Sequence, residues 1–191
     1  VLDPVRAYMP MCEALGGFVR QMAEGATQSV DITAKGTLGD TNTAPLALAV
    51  LKGILSTSRE GVNYVNAPHI AEDRGIQVKE SKTKAAGPYA NQVVVTLETD
   101  KGQYKVAGTL LAYDLFRIVQ IQGFATTLEP TPYILVGPHE DRPGMVAQVA
   151  SLLGERQINI NAMQVGRQPS QAGQSIMIFN LDSLVPDDTL A

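Results

Sequence analysis

Hydrophobic positions recur along this chain with two different periods. In residues 4–24, Met11, Leu15, Phe18 and Met22 follow the i, i+4, i+7, i+11 spacing of one helical stripe. Pro4 suits the first turn of that helix and Gly25 its end. Residues 28–36 switch to period two. Val30, Ile32 and Ala34 alternate with Ser29, Asp31 and Thr33, which predicts a half-buried strand. Residues 41–58 carry Leu46, Leu48, Val50, Leu51, Ile54 and Leu55, apolar on most faces, so a largely buried helix is expected, capped by Asp40 or Thr41. Residues 62–74 predict short helical pieces interrupted at Pro68 and ended by Gly75.

Four strands are expected next, at 76–84, 91–99, 103–111 and 115–121. Thr99-Asp100-Lys101-Gly102 is a turn, so 91–111 is a hairpin. Two prolines within Glu129-Pro130-Thr131-Pro132 suit neither a helix interior nor a central strand, and place a domain boundary there. The first domain, 1–129, is expected to pack helices on a mostly antiparallel sheet. The second, 130–191, predicts a strand at 133–138, a helix at 143–154, and strands at 157–165 and 174–181. The class is α+β, the second domain being a ferredoxin-like βαββ unit. Its small sheet, with a free edge, invites pairing with a second copy.

Composition narrows the function. A formal net charge of −4, no Trp and few aromatics argue against nucleic acid as a partner. Cys12 is the single cysteine, so no internal disulfide can form, which fits a reducing, cytoplasmic setting. No apolar run approaches the roughly 20 residues of a membrane span. No Gly-x-Gly-x-x-Gly follows a strand, two histidines and one cysteine make a metal cluster improbable, and no nucleophile has a base nearby in sequence. The chain starts at Val1 and is read as a piece of a longer polypeptide.

The most informative stretch is Asp141-Arg142-Pro143-Gly144, followed by Ile158-Asn159-Ile160. A helix N-terminus with free N–H groups favours an anion. Gly144 removes a side chain that would block close approach. Asn159 offers both a donor and an acceptor, and His139 adds a donor for a hydroxyl. An amino-acid zwitterion needs an anion for its ammonium and donors for its carboxylate. The simpler alternative is that Asp141 merely caps the helix, a role worth about 0.5–2 kcal/mol.

Tyr133 to Leu181, with Asp141-Arg142-Pro143-Gly144, Leu153-Gly154, Ile158-Asn159-Ile160 and Met163-Gln164-Val165-Gly166-Arg167, resembles an ACT domain, the amino-acid-sensing module. Gly61-Val62-Asn63-Tyr64-Val65-Asn66-Ala67-Pro68 and Glu72-Asp73-Arg74-Gly75-Ile76 resemble the intervening, or allosteric substrate-binding, segment of long-form D-3-phosphoglycerate dehydrogenases. The resemblance implies a regulatory, effector-binding fragment with no cofactor of its own. The NAD-binding and catalytic domains would lie upstream, and the isolated fragment would not be an enzyme. L-Serine would bind between ACT domains of different subunits in a homodimer or homotetramer. His139, Asp141 and Asn159 match the family's serine-contacting positions, although some members carry Asn at the position of Asp141.

In the first domain the resemblance implies an anion site for phosphate or 3-phosphoglycerate, with Arg117 and Lys105 as its candidates. Lys79, Lys82 and Lys84 are more simply a solvated strand face, Thr37-Leu38-Gly39-Asp40 a capping loop, and His69 a surface residue at a helix start. Two other readings remain: the regulatory part of an iron–sulfur L-serine dehydratase, and a stand-alone amino-acid sensor.

Overall fold

A computed structural model describes residues 4–112, 114–168 and 173–190. The chain forms two compact units that divide between Gln122 and Gly123, upstream of the proline-rich segment at 129–132.

In the first unit, α1 (Pro4–Met22) and α2 (Ala44–Ser56) lie on one face of a sheet. Its strands are β1 (Thr27–Gly36), β2 (Gln77–Thr83), β3 (Asn91–Thr99), β4 (Gln103–Leu110) and β5 (Phe116–Ile121). They run in the order β2-β1-β3-β4-β5, in a sheet whose sixth strand is Phe124–Leu128. β1 pairs with β2 in parallel, and the remaining pairs are antiparallel.

The two helices approach through glycines. A Cβ on Gly16 would lie 2.2 Å from the Val50 carbonyl oxygen, and one on Gly53 would lie 2.0 Å from that of Glu13. This contact sets which face of α1 is buried. Val5, Tyr8, Met11, Cys12, Leu15 and Val19 are buried, whereas Phe18 and Met22 of the expected stripe are only half-buried. At the helix end, the Arg20 guanidinium donates to the carbonyls of Ala23 and Gly25, each at 2.9 Å, and so ties the loop that follows α1 to its last turn.

Two helix starts differ from expectation. Thr37–Asp40 is a 3-10 turn, and α2 begins only at Ala44, with Thr43 as its N-cap and neither Asp40 nor Thr41 capping it. Asn91 Oδ1 accepts from the Leu38 N–H at 2.8 Å and thereby holds the turn against β3. Pro68 opens α3 (Ala67–Asp73) instead of interrupting a helix. Asn63 and Asn66 prepare that start by exchanging side-chain to backbone hydrogen bonds of 2.8 and 3.0 Å.

The second unit holds β6 (Phe124–Leu128), β7 (Tyr133–Glu140), α4 (Met145–Glu155), β8 (Ile160–Arg167), β9 (Gln174–Leu181) and a short α5 (Asp187–Leu190). Its three-stranded antiparallel sheet runs β7-β9-β8. One face packs Met177, Phe179 and Leu181 against Leu153 of α4, with Ile158 and Val185 completing the core. On the other face, Gln164 binds β6 as a strand neighbour would. Its Oε1 accepts from Thr127 N at 3.0 Å, and its Nε2 donates to Thr127 O at 3.1 Å. The expected βαββ order is present. By compactness β6 falls with the second unit, while in the sheet order it follows β5.

Candidate functional site

Strand β7 ends at Glu140, and the next four residues carry the chain into α4. Asp141 N donates to Gly173 O at 3.0 Å, and Arg142 folds back on Glu140 with a 3.1 Å ion pair. Gly144 has φ 90° and ψ −15°, a left-handed conformation that suits glycine. It is the N-cap, so α4 starts at Met145 rather than at Pro143. No side chain caps this helix. The bland reading of Asp141 as the cap therefore fails. Both its carboxylate oxygens face Arg167 instead, with Nε at 2.8 Å and Nη2 at 3.1 Å.

Arg167 is the site residue that sequence reasoning missed. The expected strand stopped at 165, whereas β8 runs on to Arg167, which pairs with Ser175, itself paired with His139. Facing residues on neighbouring strands share a sheet face, so His139 and Arg167 lie on the α4 side together. A strand carried two residues further in the sequence would have found this row.

His139 Nδ1 lies 2.7 Å from the Glu140 carbonyl oxygen. A carbonyl only accepts, so this contact assigns the proton to Nδ1 and makes Nε2 of the neutral ring an acceptor. Nε2 is buried with no partner. The ring thus offers a lone pair, and becomes a second donor only when protonated. In this tautomer the ring would meet a hydroxyl as an acceptor at Nε2, whereas the donor role expected of His139 belongs to the protonated ring.

Asn159 lies elsewhere. It precedes Ile160, which pairs with Leu181, whereas Asp141 follows Glu140, which pairs with Gln174. The two ends of β9 are about 24 Å apart at ~3.4 Å per residue. A single copy therefore does not bring Asn159 to Asp141. The Asn159 side chain donates to Asn161 Oδ1 at 3.3 Å, and its backbone N–H donates to Asp182 Oδ1 at 3.0 Å.

In the first unit, Arg117 and Lys105 occupy the sheet face opposite the helices but do not meet. Arg117 pairs with Thr109 and Lys105 with Thr96, four residues apart along β4. Arg117 instead shares a row with Lys35. Lys35 pairs with Gln92, one residue beyond the Val93–Gly108 pair, and Thr109 pairs with Arg117. The row thus flanks buried Gln92 and Thr109 with two cations. Arg117 Nη1 also donates to Phe116 O at 2.8 Å. Lys82 donates to Thr41 O at 2.7 Å and Lys84 lies 4.0 Å from Asp40, so both serve the loop before α2. His69 is exposed at the start of α3. Among the described residues, no group of three or more His, Cys, Asp or Glu is placed to hold a metal, and no helix is long and apolar enough to cross a membrane.

Residues 4–122 match the family described as the D-3-phosphoglycerate dehydrogenase intervening domain, and residues 134–191 match the ACT domain. A D-3-phosphoglycerate dehydrogenase of Synechocystis is 36% identical over 100% of this chain and 35% of its own length. Its counterpart in Methanocaldococcus jannaschii is 35% identical over 99% of this chain and 36% of its own length. That of Bacillus subtilis is 31% identical over 96% of this chain and 35% of its own length. The chain therefore spans about a third of each of these relatives.

Proposed function

The chain belongs to the D-3-phosphoglycerate dehydrogenase family, of which it carries the intervening and ACT domains, and from this we propose that it is the effector-binding, regulatory part of such an enzyme. The whole protein would oxidise 3-phosphoglycerate with NAD. This part would bind L-serine between the ACT domains of two copies.

One observation carries the two-copy reading: the residues suited to a zwitterion sit at opposite ends of one sheet. Asp141, the N-terminus of α4 and the His139 ring lie at one end, and Asn159 lies at the other. Two copies related by a twofold axis would bring the Asp141 end of one to the Asn159 end of the other. Within such a site, Asp141 takes the ammonium, the free N–H groups after Gly144 take the carboxylate, and Asn159 completes the shell. His139 Nε2 accepts from the serine hydroxyl.

Mixing variants tests this directly. D141N and N159A should each weaken serine binding about tenfold or more in calorimetry, the loss of a charged or buried polar contact. Mixed dimers of the two variants contain one site in which both residues are intact. Serine binding should therefore return, at up to half the sites, on mixing. Wild-type chain that takes up no serine overturns the effector. Binding that does not return on mixing overturns the shared site.

The second reading concerns the first unit. The row Lys35–Gln92–Thr109–Arg117 supports a site for an anion, phosphate or 3-phosphoglycerate, at Arg117, with Lys105 four residues away along β4. R117A should abolish phosphate-dependent thermal stabilisation while K105A leaves it in place. The reverse result would restore Lys105.

A further inference from the structure

Asn159 is exposed, yet its backbone is held from both directions along the chain. On the α4 side, Gln157 takes the left-handed conformation with φ 58°. A non-glycine residue persists there only where its surroundings hold it. Two bonds close the helix around it: Gln157 N donates to Gly154 O at 3.0 Å, and Ile158 N donates to Leu153 O at 2.9 Å. Ile158 is buried in the same core as Leu153, so the residue next to Asn159 is anchored.

On the other side stands Asp182, the first residue after β9. Asn159 N donates to Asp182 Oδ1 at 3.0 Å, and Asp182 N donates to Asn159 O at 3.2 Å. Ser183 Oγ donates to the same Oδ1 at 3.0 Å and steadies the carboxylate. The ladder then becomes irregular. Ile160 pairs with Leu181 but Ala162 with Asn180, so Asn161 is an extra residue, and bulges of this kind re-aim side chains. Asn161 Oδ1 accepts from Asn159 Nδ2 at 3.3 Å. The two ends of an amide point apart, so with Nδ2 turned to Asn161, Oδ1 is the end offered to a ligand. Asn159, Asn161 and Asp182 are all exposed, where such bonds add little stability and chiefly fix position.

We propose that Asp182 is the positioning residue that presents Asn159 to the effector, with the bulged Asn161 setting which end of the Asn159 amide faces it. The proposal rests on the reading of Asn159 as one half of a serine site. Oδ1 of an amide only accepts, so it meets the serine ammonium beside the Asp141 carboxylate of the other copy. An ammonium has three N–H donors, and a second fixed acceptor satisfies one that a single carboxylate leaves over.

Two measurements on the 191-residue chain test this. The first is hydrogen exchange of the Asn159 amide, followed by NMR without ligand. D182A removes the acceptor and should speed exchange about threefold or more, whereas D182N keeps an oxygen there and should match wild type. The second is calorimetry with L-serine. D182A should weaken binding about three- to tenfold with the melting temperature little changed, and D182N should restore it. N159A/D182A should bind no more weakly than N159A alone, because Asp182 acts through Asn159. N161A should weaken binding about threefold, and N161D, which still accepts, should not. Unchanged Asn159 exchange in D182A would overturn the proposal. So would normal serine affinity in D182A where N159A loses it, or additive losses in the double variant. Equal affinity of N161A and wild type would overturn the amide orientation. A wild-type chain that takes up no serine overturns the effector reading itself, and the exchange measurement still decides whether Asp182 holds Asn159.

Discussion

Arg167 grips Asp141 with both ends of a fork, Nε to one carboxylate oxygen at 2.8 Å and Nη2 to the other at 3.1 Å. The carboxylate raises the pKa of a guanidinium that is already charged at any working pH, chiefly through the hydrogen bond itself. The side chain of Arg167 is largely exposed, so the pair contributes little to stability and more to fixing where the Asp141 carboxylate points. Lysine cannot reproduce the two parallel bonds. R167K should therefore lower serine affinity by about five- to tenfold with the melting temperature little changed. Calorimetry and a thermal scan on the same sample separate the two effects.

The left-handed Gly144 leads to the next expectation. Nothing lies within 4 Å of a Cβ placed there, so a substitution meets no clash. The cost is in the backbone alone, about 1–2 kcal/mol for a side chain at positive φ. G144A should lose that much in urea unfolding. It should also weaken serine binding if the loop relaxes and turns the first N–H groups of α4 away.

The glycine crossing of α1 and α2 provides its own control. Alanine at Gly16 or Gly53 would drive a methyl into a backbone carbonyl that cannot yield without moving a helix. Overpacking of this kind costs about 1–3 kcal/mol or more. Gly17, one residue away, has only the Gly53 oxygen at 3.7 Å. G17A should be neutral, or stabilising by up to about 1 kcal/mol through helix propensity. Urea melts of the three variants should rank in that order.

Cys12 is fully buried, and burial pushes its thiol well above the usual range. Tyr8 is also raised, first by burial, with its hydrogen bond to Asn91 opposing. The folded chain thus holds these protons to higher pH than the unfolded chain does. Their contribution is complete below the unfolded thiol pKa of about 8.5. It declines as pH rises toward the folded-state values, by up to about 1.4 kcal/mol per pH unit for each group. Urea melts from pH 7 to 10 should show this loss, and C12A should flatten its first part. Thiol reagents should label Cys12 only when the chain unfolds.

Asn180 gives a stability test in the second unit. Its Nδ2 donates to Glu129 O and Thr131 Oγ1, each at 2.8 Å, from a buried position. N180A leaves the Glu129 carbonyl without this donor and should cost about 1–3 kcal/mol, read as a shift of the urea midpoint.

Alternation made the strands legible in the sequence. Val30, Ile32 and Ala34 are buried as the period-two pattern requires. β6 escaped because Phe124, Thr126 and Leu128 alternate across two threonines beside a glycine turn, and a buried threonine does not register as apolar. The α1 stripe was misplaced for a related reason. Gly16 stands at the closest point of the helix pair but adds nothing to a hydrophobic pattern, so the buried face was read toward Phe18 and Met22. At the site, Asp141 and Gly144 stood out by residue type and spacing. Arg167 did not, because its role depends on strand register across three strands. Likewise, the opposite placement of Asn159 follows from topology rather than composition.

The parallel pairing of β1 with β2 also bears on how the first unit assembles. β3 and β4 are joined by the turn at 100–102, and such hairpins close on the order of microseconds. β2 reaches β1 only after the chain has passed through α2 and α3, so its loop-closure entropy must be met before any ladder bond forms. β2 is also the edge strand, with Gln77, Val78, Lys79 and Glu80 all exposed. It should be the last strand to zip during refolding and the first to fray in the native state. Its lysines then take on a kinetic duty, keeping the bare edge of β1 and the waiting β2 from finding strangers before they find each other.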